Sequence, residues 1–395
     1  MHLCLASLHP RILSGQIDNL AGLGRALTRR GHDVALVAPF DTSTLLNASL
    51  ADLDTGPRRL IPAARAMLAA LPRIVRAAHG RDLVHLALPT PAFGWIADLV
   101  QAGTGVPTVV GFEGHLVGLG ELAAAGRRGA LSGYLPLWAI NNRLLGRLSL
   151  HLCPAYVVSS GFQRQELVGL GVPAERIVVL PNVVEDGKLA ASAATAARLR
   201  LGLPGRAPLV GYVGHFNDVK GVDVLAAAFQ ALAAREPSAR LALAWSGQGD
   251  PTPVRTPLAG LDGRVSWLRK VHVGAFLSAV DVLALPYRST AGQGLFPSLV
   301  LEALQAGRPL VTSDLPLLRE ITSLGPVALV APPERADLLA DRLGLLLGSE
   351  QRRREMSEAQ RSLARAHFAP DTLVRRYEGL YAAVLGDRDG VALAA

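Results

Sequence analysis

Short apolar runs alternate with helix-length amphipathic segments along the whole chain, the pattern of repeated βαβ units that build parallel sheets. The spacing predicts strands at 2–7, 34–38, 83–87, 107–111, 154–159 and 177–180 in the first half. After a lapse into an Ala-rich helical piece at 188–200 and the turn LGLPGRAP, strands are predicted again at 209–213, 240–245, 264–268, 281–285, 309–312 and 327–330. Helices fall between them: DNLAGLGRALTRRG has apolar positions at helical spacing and a Gly31 stop. Three more helices are predicted after 334, the last near 370–386.

A chain of 395 residues is too long for one ordinary core, so two domains are expected. The predicted division is 1–185, a linker at 186–207, 208–369, and a terminal helix at 370–395 that crosses back to the first domain. The expected fold class is α/β, with two doubly wound, Rossmann-like domains whose strands end on a shared cleft, where open α/β sheets bind ligands.

Composition narrows the chemistry. A net charge of +8 suits an anionic partner such as a nucleotide, a phosphorylated substrate or an anionic membrane surface. Nucleic acid is not expected, because the basic residues are scattered and no binding motif is present. Cys4 and Cys153 each sit in an apolar run and are read as core thiols. The start MHLCLASLHP has no signal-peptide pattern, and no apolar run reaches the roughly 18 residues of a spanning helix. The expectation is a cytoplasmic protein, with peripheral contact at the inner face of the membrane open to it. Basic amphipathic pieces at 58–81 and 126–147, the latter with Tyr134 and Trp138, suit either such a surface or packing on the first sheet.

The candidate chemistry lies mainly in the second half. In LVGYVGHFNDVKGVDVLAAAF a strand ends at Gly214, a loop carries His215, Asn217, Asp218 and Lys220, and a helix begins after Gly221. Lysine is rare here, at 188, 220 and 270 only, so one kept in a strand-to-helix loop points to a compact ammonium for an anion. A solvated loop lysine is the plain alternative. In AGQGLFPSLVLEALQAG a helix starts near Pro297 and presents the free amides within 296–299, those of Phe296, Ser298 and Leu299, with the positive end of its dipole. Glu302 follows about one turn on, either a ribose ligand or an ordinary helix-surface acid.

These segments, with RRGHDVALVAP, GVPAERIVVLPNVVE and VDVLALPYRS, resemble the retaining GT-B glycosyltransferases of family 4 over nearly the whole chain. The resemblance implies a nucleoside-diphosphate sugar as donor substrate, bound by 208–369, no metal and no organic cofactor, and an acceptor, received by 1–185, that it leaves unidentified. It implies Lys220 on the diphosphate, the amides after Phe296 on the distal phosphate and Glu302 on the ribose. Gly15, in the loop SGQI after the first strand, matches a glycine that admits the diphosphate or sugar, and His115 in FEGH matches a histidine beside the transferred sugar, with Glu113 as its rival. His215 stands where the family usually has an arginine. Gly294 stands where the family commonly has an acid for the donor sugar, with Gln293 beside it.

The two departures keep open a catalytically silent nucleotide- or glycan-binding subunit, and the two-domain frame keeps open a sugar-nucleotide epimerase. Other signals are set aside. DLD at 52–54 does not end a strand as a metal-holding acid pair would, no Gly-x-Gly triplet joins the first strand to its helix as a dinucleotide site requires, and RRRE at 352–355 reads as a solvated helix face.

Overall fold

The computed structural model describes residues 1–8, 15–39, 60–89, 91–112, 153–184, 189, 193–269, 271–289 and 297–386. The chain divides into two compact units, Met1–Glu185 with Ala291–Ser298 and Ala369–Ala395, and Asp186–Thr290 with Leu299–Phe368.

Unit 1 runs β1 (His2–Ser7), α1 (Gly15–Arg29), β2 (Asp33–Val37), α2 (Leu60–Ala78), β3 (Leu83–Leu88), α3 (Gly94–Thr104), β4 (Thr108–Phe112), β5 (Tyr156–Val158), α4 (Gly161–Gly169) and β6 (Ile177–Val179). The described strands form one parallel sheet in the order β2-β1-β3-β4-β5-β6. Side chains alternate across a strand, so an unbroken apolar run has to be covered on both faces. In β1, Leu3 and Leu5 join the core beneath α1, while Cys4 and Ala6 join the core beneath α2 and α3. Both cysteines are buried and free; burial pushes the Cys4 thiol up to about 11, as befits an inert core thiol.

Unit 2 runs α5 (Ala194–Arg200), β7 (Leu209–Phe216), α6 (Val222–Arg235), β8 (Arg240–Gly249), α7 (Thr252–Arg255), β9 (Val265–Arg269), α8 (Val273–Ala279), β10 (Val282–Leu285), α9 (Ser298–Ala306), β11 (Leu310–Ser313), α10 (Pro316–Thr322), β12 (Leu329–Ala331), α11 (Ala336–Leu347) and α12 (Glu350–His367). Its strands are parallel in the order β12-β11-β10-β7-β8-β9. Part of the stretch expected to be a linker is integral to this unit. Buried Arg198 on α5 donates to the carbonyls of Ala279, Pro204, Gly205 and Ala207 and pairs with Asp281 at 2.8 Å. The RRRE face is solvated in part only, since Arg353 turns in to donate to the last carbonyls of α11, Leu346 and Leu347, where a cation is favoured.

The last described helix, α13 (Pro370–Gly386), belongs to unit 1. Its buried residues Leu373, Val374, Tyr377, Leu380, Tyr381 and Val384 recur at helical spacing and enter the same core as Ile17 and Leu20 of α1. Glu378 anchors the outer edge, accepting from Arg30 at 2.7 Å and 2.8 Å and lying 2.8 Å from His32 Nε2.

Within that core, His85 Nδ1 is hydrogen-bonded to Tyr381 Oη at 2.7 Å and the ring stacks on Tyr377. Burial holds the imidazole down to about 4 from an ordinary 6.5. Between those values the unfolded chain takes a proton that the folded chain refuses, so folding stability declines as pH falls through this window, by about 3 kcal/mol in all. Denaturant titrations at pH 7 and pH 4.5 should show this loss shrinking in His85→Gln; an equal loss in the variant would contradict it.

Candidate active site

In unit 2 the chain leaves β7 toward β8 on one side and leaves β10 toward β11 on the other, while β7 and β10 lie side by side. Loops that diverge from neighbouring parallel strands open a crevice at their carboxyl ends, the usual ligand position in a doubly wound sheet. The loop after β7 carries Lys220 and the segment after β10 carries Tyr287 and Arg288, so both border this switch point.

β7 runs two residues past Gly214, through His215 and Phe216, with an irregularity in its pairing to β8 between Gly214 and Phe216. The expectation that the strand ends at Gly214 is corrected: His215 is a strand residue, not a loop residue. Its Nδ1 is hydrogen-bonded to Ser246 Oγ at 2.5 Å, and its carbonyl accepts from Tyr212 Oη at 2.7 Å. The extension follows from pairing, since β8 continues beside it to Gly249.

Asp218–Lys220 form a single 3-10 turn, and Gly221 then adopts φ 64° as the cap of α6. A Cβ on Gly221 would come within 2.0 Å of the Pro286 carbonyl oxygen, so both the left-handed backbone and the close approach of the β10 segment require glycine. This contact sets Lys220 against its neighbour: Nζ lies 4.8 Å from the centre of the Tyr287 ring, a cation–π distance. Lys220 is half-buried, and burial lowers its pKa from 10.5 to about 8.

Tyr287 is buried, and burial, then the Glu302 carboxylate, push its hydroxyl pKa up. Glu302 is only 3% exposed, which overturns the reading of a solvated helix-surface acid. Its side chain lies on the buried side of α9 with Leu301, Ala303 and Leu304. A phenol thus stands near both an ammonium and a carboxylate, and their opposite charges suit a ligand with an anionic part and hydrogen-bond donors a short distance apart.

Arg288 braces this arrangement. Its side chain, 10% exposed, pairs with Asp223, with Asp218 at 3.3 Å and with Glu334 at 3.2 Å. Its Nη1 donates to the Asp218 carbonyl at 2.9 Å, and its backbone amide donates to the Val219 carbonyl at 3.0 Å. Burial works against the guanidinium charge, but Asp223, Asp218 and Glu334 outweigh it and its pKa is raised. The Lys220 turn is therefore held by side chain and backbone together.

Tyr287 links the two groups: Lys220 Nζ lies over its ring, and the Glu302 carboxylate acts on its hydroxyl, with His215 on the adjoining strand. Ser298 and Leu299 form the first turn of α9 after buried Pro297. Gly15, expected in a loop, is corrected to the first residue of α1 in unit 1. His115, Glu113, Gln293, Gly294 and Phe296 lie outside the described residues, as do 52–54 and 126–147. Sequence reasoning missed Tyr287 and Arg288. Their position directly after an apolar strand was the available signal, whereas their mutual contacts were not legible. Among the described residues no three His, Cys, Asp or Glu side chains are gathered to hold a metal.

Two family descriptions match the chain in succession. Residues 20–188 match Glycosyltransferase Family 4, and residues 207–349 match Glycosyl transferases group 1. The chain is similar to the phosphatidyl-myo-inositol mannosyltransferase of Mycolicibacterium smegmatis, 27% identical over 354 residues, 86% of this chain and 82% of that protein. It is 29% identical over 252 residues to the D-inositol 3-phosphate glycosyltransferase of Nocardia farcinica, covering 59% of this chain and 53% of that one. Among solved structures, sucrose-phosphate synthase from Thermosynechococcus elongatus aligns over 98% of this chain and 99% of its own with a TM-score of 0.75 at 19% identity. HepE of Anabaena in complex with UDP aligns over 97% of this chain and 100% of its own with a TM-score of 0.73 at 16% identity. Those structures share the GT-B fold of two Rossmann-like domains, to which the two parallel sheets, each of six described strands, correspond. With a family 4 match on the first unit, a group 1 match on the second and this fold throughout, the chain belongs to the group 1, family 4 glycosyltransferases and is a glycosyltransferase.

Proposed function

We propose that the protein moves a sugar from a nucleoside-diphosphate sugar to a hydroxyl of a lipid-linked or glycan acceptor, with retention at the anomeric carbon. The observation that carries this reading is the half-buried ammonium of Lys220 over the Tyr287 ring at the switch point of unit 2, with the buried carboxylate of Glu302 acting on the same phenol. Lys220 faces the diphosphate, the first amides of α9 at Ser298 and Leu299 bind its distal phosphate, and Glu302 accepts from the ribose hydroxyls. His215 hydrogen-bonds the donor. Gly15 and His115 serve the transferred sugar, and Phe296 and Pro297 belong to the donor site. Relatives favour a sugar-nucleotide donor and a hydroxyl acceptor: one is a phosphatidyl-myo-inositol mannosyltransferase, another a D-inositol 3-phosphate glycosyltransferase, and HepE is solved with UDP-glucose.

In the proposed step the acceptor oxygen bonds to the anomeric carbon on the face from which the sugar–phosphate C–O bond breaks. The acceptor proton passes to the departing phosphate oxygen. Negative charge grows on the diphosphate, and Lys220 with the helix amides opposes it in a partly desolvated site; such a donor supplies roughly 3 kcal/mol. No metal or organic cofactor has a role in this reading, and EDTA is expected to leave the rate unchanged. The protein is proposed to work in the cytoplasm. Among the described residues no helix is long and apolar enough to cross a membrane; the exposed Arg73, Arg76 and Leu68 of α2 suit peripheral contact.

Calorimetric titration with UDP, GDP and ADP, followed by product analysis with each sugar donor and an added acceptor, tests the reading. Binding with transfer and a retained anomeric configuration supports it; binding without turnover favours a silent subunit, and donor conversion without acceptor favours an epimerase. Glu302→Ala should weaken nucleotide binding by about 1–3 kcal/mol through lost charged hydrogen bonds. If Glu302 serves packing alone, its substitution will lower the unfolding midpoint and leave affinity unchanged.

A further inference from the structure

Unit 1 contains a cavity apart from Lys220, Tyr287 and Glu302, whose Asn19 is hydrogen-bonded to Ser298 Oγ at 3.2 Å. It lies near the carboxyl ends of β3 to β6, against α1 and α13, has a volume of about 40 Å³, and includes Asn19, His85, Asn182 and Tyr377 with apolar walls such as Leu23 and Phe112. Asn182 is 6% exposed, and its Nδ2 is buried with no hydrogen-bond partner among the described residues. Native interiors seldom leave an amide donor in this state, so it marks a place for an acceptor atom.

His85 adds a second group at a fixed angle. With Nδ1 hydrogen-bonded to Tyr381 Oη, the ring turns Nε2 toward Gly111, where a Cβ would lie 2.8 Å away. Glycine at 111 keeps that space open. Depending on how the proton is shared with Tyr381, Nε2 donates or accepts, and a hydroxyl satisfies either case. Among the described residues no Asp, Glu, Lys or Arg lines the cavity. The imidazole is kept neutral by burial, so nothing there compensates an anion. A water-sized group needs about 10–15 Å³ by this measure, which leaves room for a few hydroxyls against an apolar wall.

We propose that this cavity receives hydroxyl groups of a neutral polyol and forms an acceptor-recognition pocket in unit 1. The proposal rests on the reading that unit 1 takes the acceptor. One hydroxyl oxygen accepts from Asn182 Nδ2 while another hydroxyl exchanges a hydrogen bond with His85 Nε2; the carbon skeleton lies on Leu23 and Phe112.

The test uses the full chain, myo-inositol as a neutral cyclitol probe and inorganic phosphate as the anionic contrast, read by calorimetry and ligand-observed NMR. Saturable myo-inositol binding is expected, without competition from phosphate, and at least tenfold weaker in Asn182→Leu and Gly111→Ala. UDP affinity should stay within twofold in both variants. Asn182→Leu should keep or raise the unfolding midpoint, because the buried Nδ2 donor it removes has no partner among the described residues, so it decides the matter if Gly111→Ala folds poorly. No saturable binding to wild type, or equal affinity in Asn182→Leu, overturns the proposal and leaves the cavity as a water site. Loss of UDP binding by wild type with myo-inositol binding intact sinks the nucleotide-sugar reading while sparing the pocket.

Discussion

Replacing Lys220 with alanine is expected to lower kcat/KM by roughly 10²–10³, the scale found when one donor facing developing charge is removed. The variant should fold as well as the parent. Burial draws the Lys220 pKa to about 8 from 10.5, which means that keeping the ammonium charged costs stability in the empty protein. That cost is fully present below about pH 8 and fades as pH rises toward 10.5, since the unfolded chain alone holds the proton in that window. Affinity for a nucleoside diphosphate should move the opposite way, falling as pH rises past about 8 because the cation is lost. Titrations of UDP between pH 7 and 9.5 should show this limb in wild type and its absence in Lys220→Ala. A rate within threefold of wild type, or the same pH limb in both proteins, would remove Lys220 from the site. Lys220→Arg is not expected to rescue, because a planar fork does not replace a compact ammonium over Tyr287.

Arg288→Ala is expected to lower stability by about 3 kcal/mol, the scale for removing one partner of a largely buried ion pair. The substitution leaves Asp218, Asp223 and Glu334 facing one another without their shared cation. For a unit of this size the unfolding midpoint should fall by roughly 6–12 °C, measurable by calorimetry. Because Arg288 also holds the Asp218 carbonyl, the Lys220 turn loosens and nucleotide affinity should drop in the fraction that stays folded. The backbone bond from the residue 288 amide to Val219 survives the substitution, so the turn keeps its course. A midpoint within about 2 °C of wild type would show that the three carboxylates find solvent without help.

The success of the pattern for the strands has a physical source. A parallel strand covered on both faces has to be apolar at successive positions, so β1, β3, β4, β7 and β10 announce themselves as short unbroken runs. Their ends are less legible: β7 and β8 run on past their apolar cores because each supplies the other's backbone partners. The same limit explains Gly15, whose place at the start of α1 depends on where backbone hydrogen bonding begins rather than on its own side chain.

Lys220 and Glu302 were legible by type and spacing, since a rare lysine after a strand and an acid one turn into a helix point to a phosphate-and-diol ligand. Their environment was not. For Glu302 a ligand and an ordinary helix-surface acid both stayed open, because a single acid among apolar helix positions carries no mark of which face it occupies; the structure buries it near Tyr287. Tyr287 and Arg288 gained meaning only when β10 came to lie beside β7.

The sequence by itself determined two α/β units and their strands, and it identified the ammonium and carboxylate of the candidate site, because burial on two faces and strand-to-helix turns leave local signatures. Tertiary structure alone decided which side chains meet: Lys220 with Tyr287, Arg288 with three carboxylates, and His85, Asn182 and Tyr377 around one cavity. These groups are distant in the chain, and the order of strands in each sheet, which no local pattern encodes, brings them within contact.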